Sequence, residues 1–116
     1  MERAKVLVVD DSRLILRIAK AFLEDRYDVI TAETGLDALR KAIEERPDVM
    51  LTDMNMPGMS GEQVRQALAC DPRTRGIRVV ITTTDTAASG LAPGVDLLLK
   101  PYDASSLRAK IGARVH

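Results

Sequence analysis

Four short stretches carry polar side chains that could do chemistry together: Asp10-Asp11, Asp53, Thr82-Thr83-Thr84 and Lys100-Pro101. Each stands at the end of a short apolar run. Three carboxylates brought into one pocket repel one another unless a cation lies between them. An all-oxygen ligand set, without His or Cys, suits a hard ion such as Mg²⁺, which takes a few carboxylates plus water and phosphate oxygens. Lys100 fits as a point charge for an anionic phosphoryl oxygen, and a carboxylate can itself be the nucleophile, giving an aspartyl phosphate. Together these residue types support Mg²⁺-assisted acceptance of a phosphoryl group. Singly they have plainer readings. Adjacent acids after a strand cap the next helix, Asp53 before Pro57-Gly58 forms a turn, and threonines ending a strand are simply good β-formers.

The elements that must bring them together are legible as alternating apolar runs and amphipathic stretches. Val6-Leu7-Val8-Val9 reads as a strand buried on both faces. Leu14, Ile15, Ile18, Phe22 and Leu23 then recur at helical spacing. Asp28-Val29-Ile30-Thr31-Ala32 predicts a second strand. A helix follows from Gly35, with Leu36, Leu39, Ala42 and Ile43 inward, and stops before Pro47. Val49-Met50-Leu51-Thr52 predicts the third strand, residues 54–61 a loop, and Val64 and Leu68 the inner face of a third helix. Val79-Val80-Ile81-Thr82 and Leu97-Leu98-Leu99 complete the strands. Leu107, Ile111 and Val115 share a face of a last helix, for which Asp103 is the expected N-cap. Between strands four and five, residues 86–94 hold two glycines and a proline, so the fourth helix is expected to be shortened or irregular. The pattern is (βα)₅, an α/β fold with a doubly wound, five-stranded parallel sheet. In such sheets ligands bind beyond the carboxyl ends of the strands, where all four polar stretches fall.

Composition excludes several classes. The chain has 116 residues, enough for one domain, and 17 Lys plus Arg balance 17 Asp plus Glu. That balance lacks the basic footprint of direct nucleic-acid binding. No apolar run is long enough to span a membrane, and the N-terminal run is too short for a secretory signal. Cys70 is the single cysteine and His116 the single histidine, which excludes an internal disulfide and a zinc site. A cytoplasmic domain is expected.

The chain resembles the receiver domain of bacterial two-component response regulators, the chemotaxis-regulator-like members of the flavodoxin-like fold. The likeness rests on Val6-Leu7-Val8-Val9-Asp10-Asp11-Ser12, Leu51-Thr52-Asp53-Met54-Asn55-Met56-Pro57-Gly58-Met59-Ser60-Gly61, Val79-Val80-Ile81-Thr82-Thr83 and Leu97-Leu98-Leu99-Lys100-Pro101-Tyr102, and covers essentially all of residues 1–116. It implies that Asp53 is the phosphorylated aspartate. Asp10, Asp11, Asp53 and the backbone carbonyl of Asn55 would bind Mg²⁺. Thr83 would be the switch hydroxyl, Lys100 would pair with the phosphoryl oxygens, and Pro101 would follow a cis bond. The implied partners are a histidine kinase or histidine phosphotransfer protein and a downstream protein or output domain, with room for a dimer formed on activation. A lone receiver and one cut from a larger regulator or hybrid kinase read alike here.

Several positions depart from the family pattern. Thr82, Thr83 and Thr84 can each be aligned with the switch; Thr83 is preferred because Asp85 then falls two residues beyond it. Thr84 stands where the family usually has a very small residue. With Asn55 and Asp85 it is expected to tune the lifetime of the acyl phosphate. Leu97 replaces a common aromatic. Two other function classes compete. A Mg²⁺-dependent phosphohydrolase would need Asp10 as nucleophile with a partner acid two residues on and a lid domain, and this sequence supplies neither. A receiver-like interaction module without phosphorylation would not need the intact set of acids, threonine and lysine. The expectation is therefore a phosphoacceptor that takes part in its own phosphotransfer and dephosphorylation, and not an enzyme with an external product.

Overall fold

The computed structural model describes residues 3–84 and 94–115. Five strands, β1 (Lys5–Val9), β2 (Asp28–Ala32), β3 (Val49–Asp53), β4 (Arg78–Thr83) and β5 (Asp96–Leu99), form one sheet in the order β2-β1-β3-β4-β5. Every neighbouring pair is parallel. Four helices are seen among the described residues: α1 (Arg13–Leu23), α2 (Gly35–Glu45), α3 (Gly61–Ala69) and α4 (Ala104–Gly112). The segment read as an irregular helix between β4 and β5 lies outside the described residues except for Gly94, and so does Asp85.

The alternation of side chains along each strand builds two layers. Val6 and Val8 of β1 pack with Leu16, Ala19 and Leu23 of α1 and Leu107 and Ile111 of α4. Leu7 and Val9 face the other way, onto Ala38 and Ala42 of α2 and Val64 and Leu68 of α3. A strand buried on both sides cannot alternate apolar with polar, which is why β1 is apolar throughout its buried length. Each large side chain buried this way contributes about 1.5–3 kcal/mol.

The helices begin where side chains satisfy free backbone N–H groups. Ser12 and Thr34 accept from the amides of Ile15 and Asp37, at 3.3 and 3.1 Å. Ser60 and Asp103 form reciprocal capping boxes with Gln63 and Ser106, so Asp103 is the cap its sequence position predicts. A cap is worth ~1 kcal/mol, less than one buried leucine, so the layers rather than the caps fix where the helices lie. α2 ends at Glu45, with Arg46 left-handed (φ 50°) before Pro47. The edge strand β2 is guarded on its outer side, where Lys41 Nζ donates to the Thr31 carbonyl.

Two helical faces differ from the sequence expectation. Leu36 is 74% exposed; with Thr34 as the cap, Gly35 and Ala38 point inward in its place, beside Ala42, which is buried as its sequence position predicts. Leu16, Ala19 and Leu23 form the inner stripe of α1, leaving Leu14 64% and Ile18 37% exposed. Small residues take inward positions in both helices, Ala19 in α1 and Gly35, Ala38 and Ala42 in α2, where the helix lies close to the sheet.

Candidate functional site

The strands stop being apolar at the carboxyl edge of the sheet, and the register aligns their ends. Val9 pairs with Thr52, so Asp10 and Asp53 emerge side by side from the central strands. Asp53 pairs with Thr82, and Thr83 with Leu99, which brings Lys100 to the same edge. The Lys100 amide donates to the Thr83 carbonyl at 2.8 Å, joining the ends of β4 and β5.

Lys100 Nζ lies 2.9 Å from Asp10 Oδ2 and 3.1 Å from Asp53 Oδ1. Asp10 is buried, and its other carboxylate oxygen accepts the Ser12 amide at 2.9 Å. Asp11 is exposed. Ligand oxygens of Asp10, Asp11 and Asp53 nevertheless lie within 4.8 Å of one another, so these three acids can hold a metal ion. Asn55 is exposed two residues beyond Asp53.

The three threonines have different surroundings. Thr82 Oγ1 donates to the Thr52 carbonyl at 3.5 Å, Thr83 is buried at the end of β4, and Thr84 is exposed. The Lys100–Pro101 peptide is cis.

Residues 6–112 match the response regulator receiver domain family. The chain belongs to that family. It is 40% identical to the response regulator PleD of Caulobacter vibrioides over 114 residues, covering 93% of this chain but 25% of PleD. The chain thus spans about a quarter of that relative's length. Protein PilH of Pseudomonas aeruginosa is 38% identical over 116 residues, covering 95% of this chain and 96% of PilH. The structure of chemotaxis protein CheY4 of Vibrio cholerae superposes with a TM-score of 0.86 at 32% identity, over 97% of this chain and 98% of that one. This receiver therefore has the flavodoxin-like, CheY-type fold of two-component systems, as its sequence predicts.

Electrostatics in the receiver's acidic pocket are set by burial and by the ammonium. Burial pushes the Asp53 carboxyl up; the Lys100 hydrogen bond and charge pull it down, Asp10 and Asp11 push it up again, and the net is upward. Burial alone would lower Lys100, but its hydrogen bonds to Asp10 and Asp53 outweigh that and raise it. The lysine thus stays charged between two carboxylates, while Asp53, facing two other acids, ionises less readily than a free aspartate.

Four residues around the site escape a reading of residue types. Ser12, evident only as part of the Asp10-Asp11-Ser12 run, fixes the Asp10 carboxylate through its amide while its hydroxyl caps α1. Gly61 is readable as a loop marker, but its role depends on a close approach. A Cβ on it would stand 2.4 Å from the Asp53 carbonyl oxygen. Its amide donates to the Met54 carbonyl at 2.9 Å, closing the loop after Asp53. Ile15 and Ile18, legible only as helix formers, line with Pro101 and Tyr102 an apolar groove of about 330 Å³ that reaches Lys100.

Proposed function

We propose that this receiver accepts a phosphoryl group on Asp53 from the phosphohistidine of a histidine kinase or histidine phosphotransfer protein. The observation that carries this reading is Lys100 Nζ held at 2.9 and 3.1 Å from Asp10 and Asp53, with Asp11 completing the acidic cluster. An Asp53 oxygen attacks phosphorus, the P–O bond forms as the P–N bond breaks, and the electron pair returns to the imidazole of the donor. Lys100 offers its ammonium to the phosphoryl oxygens. Asp10, held by Ser12, stays in place when Lys100 turns toward them.

The donor set also supports Mg²⁺: all protein ligands are oxygens, and three carboxylates converge. Asp10, Asp11, Asp53 and the carbonyl of Asn55 would hold it. When bound, the ion supplies positive charge that offsets the repulsion between these acids and an incoming phosphoryl group.

Thr83 is the hydroxyl that turns toward the phosphoryl group. It is buried at the end of β4, opposite Leu99 and so next to Lys100, whereas Thr84 is exposed. Because the Thr83 carbonyl holds the Lys100 amide, movement there is transmitted to both β4 and β5. Thr84 and Asn55, exposed beside the acceptor, and Asp85 set how readily water reaches the acyl phosphate. The receiver turns over no external substrate and works in the cytoplasm with its kinase and a downstream protein or output domain. The donor docks on the exposed side of α1, which carries Leu14 and Ile18, and Ile18 also lines the groove formed with Pro101 and Tyr102.

Incubation with acetyl phosphate and Mg²⁺, then borohydride reduction and peptide mapping, tests the assignment. Reduction of an aspartyl phosphate leaves homoserine, expected at Asp53; homoserine at Asp10 or Asp11 would contradict it.

A further inference from the structure

At the opposite edge of the sheet, where β3, β4 and β5 begin, two adjoining depressions share Ile77, Arg78 and Arg114. One, of about 360 Å³, runs between the ends of α3 and α4 and adds Arg65 and Arg75; the other, of about 270 Å³, adds Arg46. Five arginines therefore face two aspartates, Asp48 and Asp96, along one trough. Those acids are already engaged. Asp96 accepts from Arg114 and Lys110, and Asp48 accepts the Lys5 amide at 2.8 Å. Arg65 pairs with Glu62. No described acid is paired with Arg46, Arg75 or Arg78, and all three are exposed. The sequence conceals the cluster, because its members are spread from residue 46 to residue 114 and the net charge is zero.

The floor of the larger depression is aliphatic, with Leu68, Ile77, Val79 and Val95, and no aromatic ring lines it. That disfavours a nucleotide base, which needs a stacking partner. Guanidinium groups on the rim match carboxylates in a planar, two-point fashion. We propose that this trough docks an acidic peptide segment of a partner protein, its carboxylates on Arg75 and Arg78 and an aliphatic side chain on the Ile77–Val79 floor. Asp53 pairs with Thr82, four residues along β4 from Arg78, so about 13 Å of strand separates this surface from Asp53. A partner can stay docked while the acceptor edge exchanges phosphoryl groups with its donor.

Fluorescence anisotropy at low salt tests this with a fluorescein-labelled peptide carrying two glutamates on each side of a leucine. Saturable binding is expected, weakened about tenfold by the paired changes Arg75→Glu and Arg78→Glu. It should be unaffected by Arg17→Glu on α1 and lost when the peptide's glutamates become glutamines. Amide shifts on titration should centre on Ile77, Val79 and Val95. Labelling of the double variant by acetyl phosphate at the wild-type rate checks its fold, and Arg75→Gln alone serves if that variant is unstable. Absence of saturable binding, or equal affinity in the arginine variants, overturns the proposal. So does a single-stranded oligonucleotide that binds as tightly with the same arginine dependence, because the trough would then be a general polyanion surface.

Discussion

The Cα of Gly61 packs so closely on the backbone of Asp53 that a methyl group there would meet the Asp53 carbonyl oxygen at 2.4 Å. The residue that opens α3 therefore sets the path of the chain just beyond Asp53. Because the obstacle is backbone, it cannot swing aside as a side-chain tip would. Gly61→Ala should cost about 1–3 kcal/mol, as overpacking does, and should slow phosphoryl acceptance by displacing Asp53 from Lys100. Urea unfolding and the rate of labelling by acetyl phosphate check the two effects. A variant as stable and as fast as wild type would show that the loop absorbs the methyl group freely.

Lys100 separates Asp10 from Asp53, so removing its charge leaves two close carboxylates without an ammonium between them. Lys100→Met should destabilise the protein in EDTA by about 1–3 kcal/mol. Mg²⁺ should restore much of that loss, because binding to the folded state alone raises its stability. Thermal melts of both proteins with and without Mg²⁺ give the four values needed. An equal response to Mg²⁺ in the two proteins would mean that lysine and ion do not answer the same carboxylates.

The direction of the Asp53 shift fixes a pH dependence. Burial, with Asp10 and Asp11, holds its carboxyl above the ordinary value despite Lys100. Ionised Asp53 therefore costs stability. The cost is absent below the unfolded-state pKa of about 3.9 and complete once pH has risen through the raised folded-state value. Asp53→Asn should melt higher than wild type at neutral pH in EDTA, with the gap closing towards about pH 3.5. A constant gap across that range would assign the difference to something other than ionisation.

Helical faces show how far a single sequence reaches. Every strand, the sheet class and the cap at Asp103 follow from apolar runs, punctuation and capping chemistry, because those signals are local. The inward side of α1 and α2 does not. Leu14, Ile18 and Leu36 are as apolar as the residues that are buried, and only close packing of the helices on the sheet selects Leu16, Ala19 and Ala38. Likewise Asp10, Asp53 and Lys100 are legible as strand-end residues meeting at one edge, whereas the approach of Gly61 to Asp53 and the gathering of distant arginines exist only in three dimensions.

That distinction separates stability from docking. Leu16→Ala should cost ~2–4 kcal/mol through the cavity it leaves. Leu36→Ser should stay within about 0.5 kcal/mol of wild type. Ile18→Asp should leave labelling by acetyl phosphate unchanged while slowing transfer from a phosphorylated donor protein, because only the protein donor needs the apolar surface around the groove. Equal slowing with both donors would place Ile18 in the chemistry rather than in docking.

Mg²⁺-dependent uptake of a phosphoryl group by Asp53 is the step on which the proposed function depends. Intact-mass spectrometry after incubation with acetyl phosphate, in Mg²⁺ or in EDTA, tests it most directly, with wild type beside Asp53→Asn. One phosphoryl adduct is expected, present in Mg²⁺, lost in EDTA and missing from the variant. An adduct that persists in Asp53→Asn or forms equally in EDTA would contradict the claim, as would no adduct on wild type when Mg²⁺ binding is itself detectable.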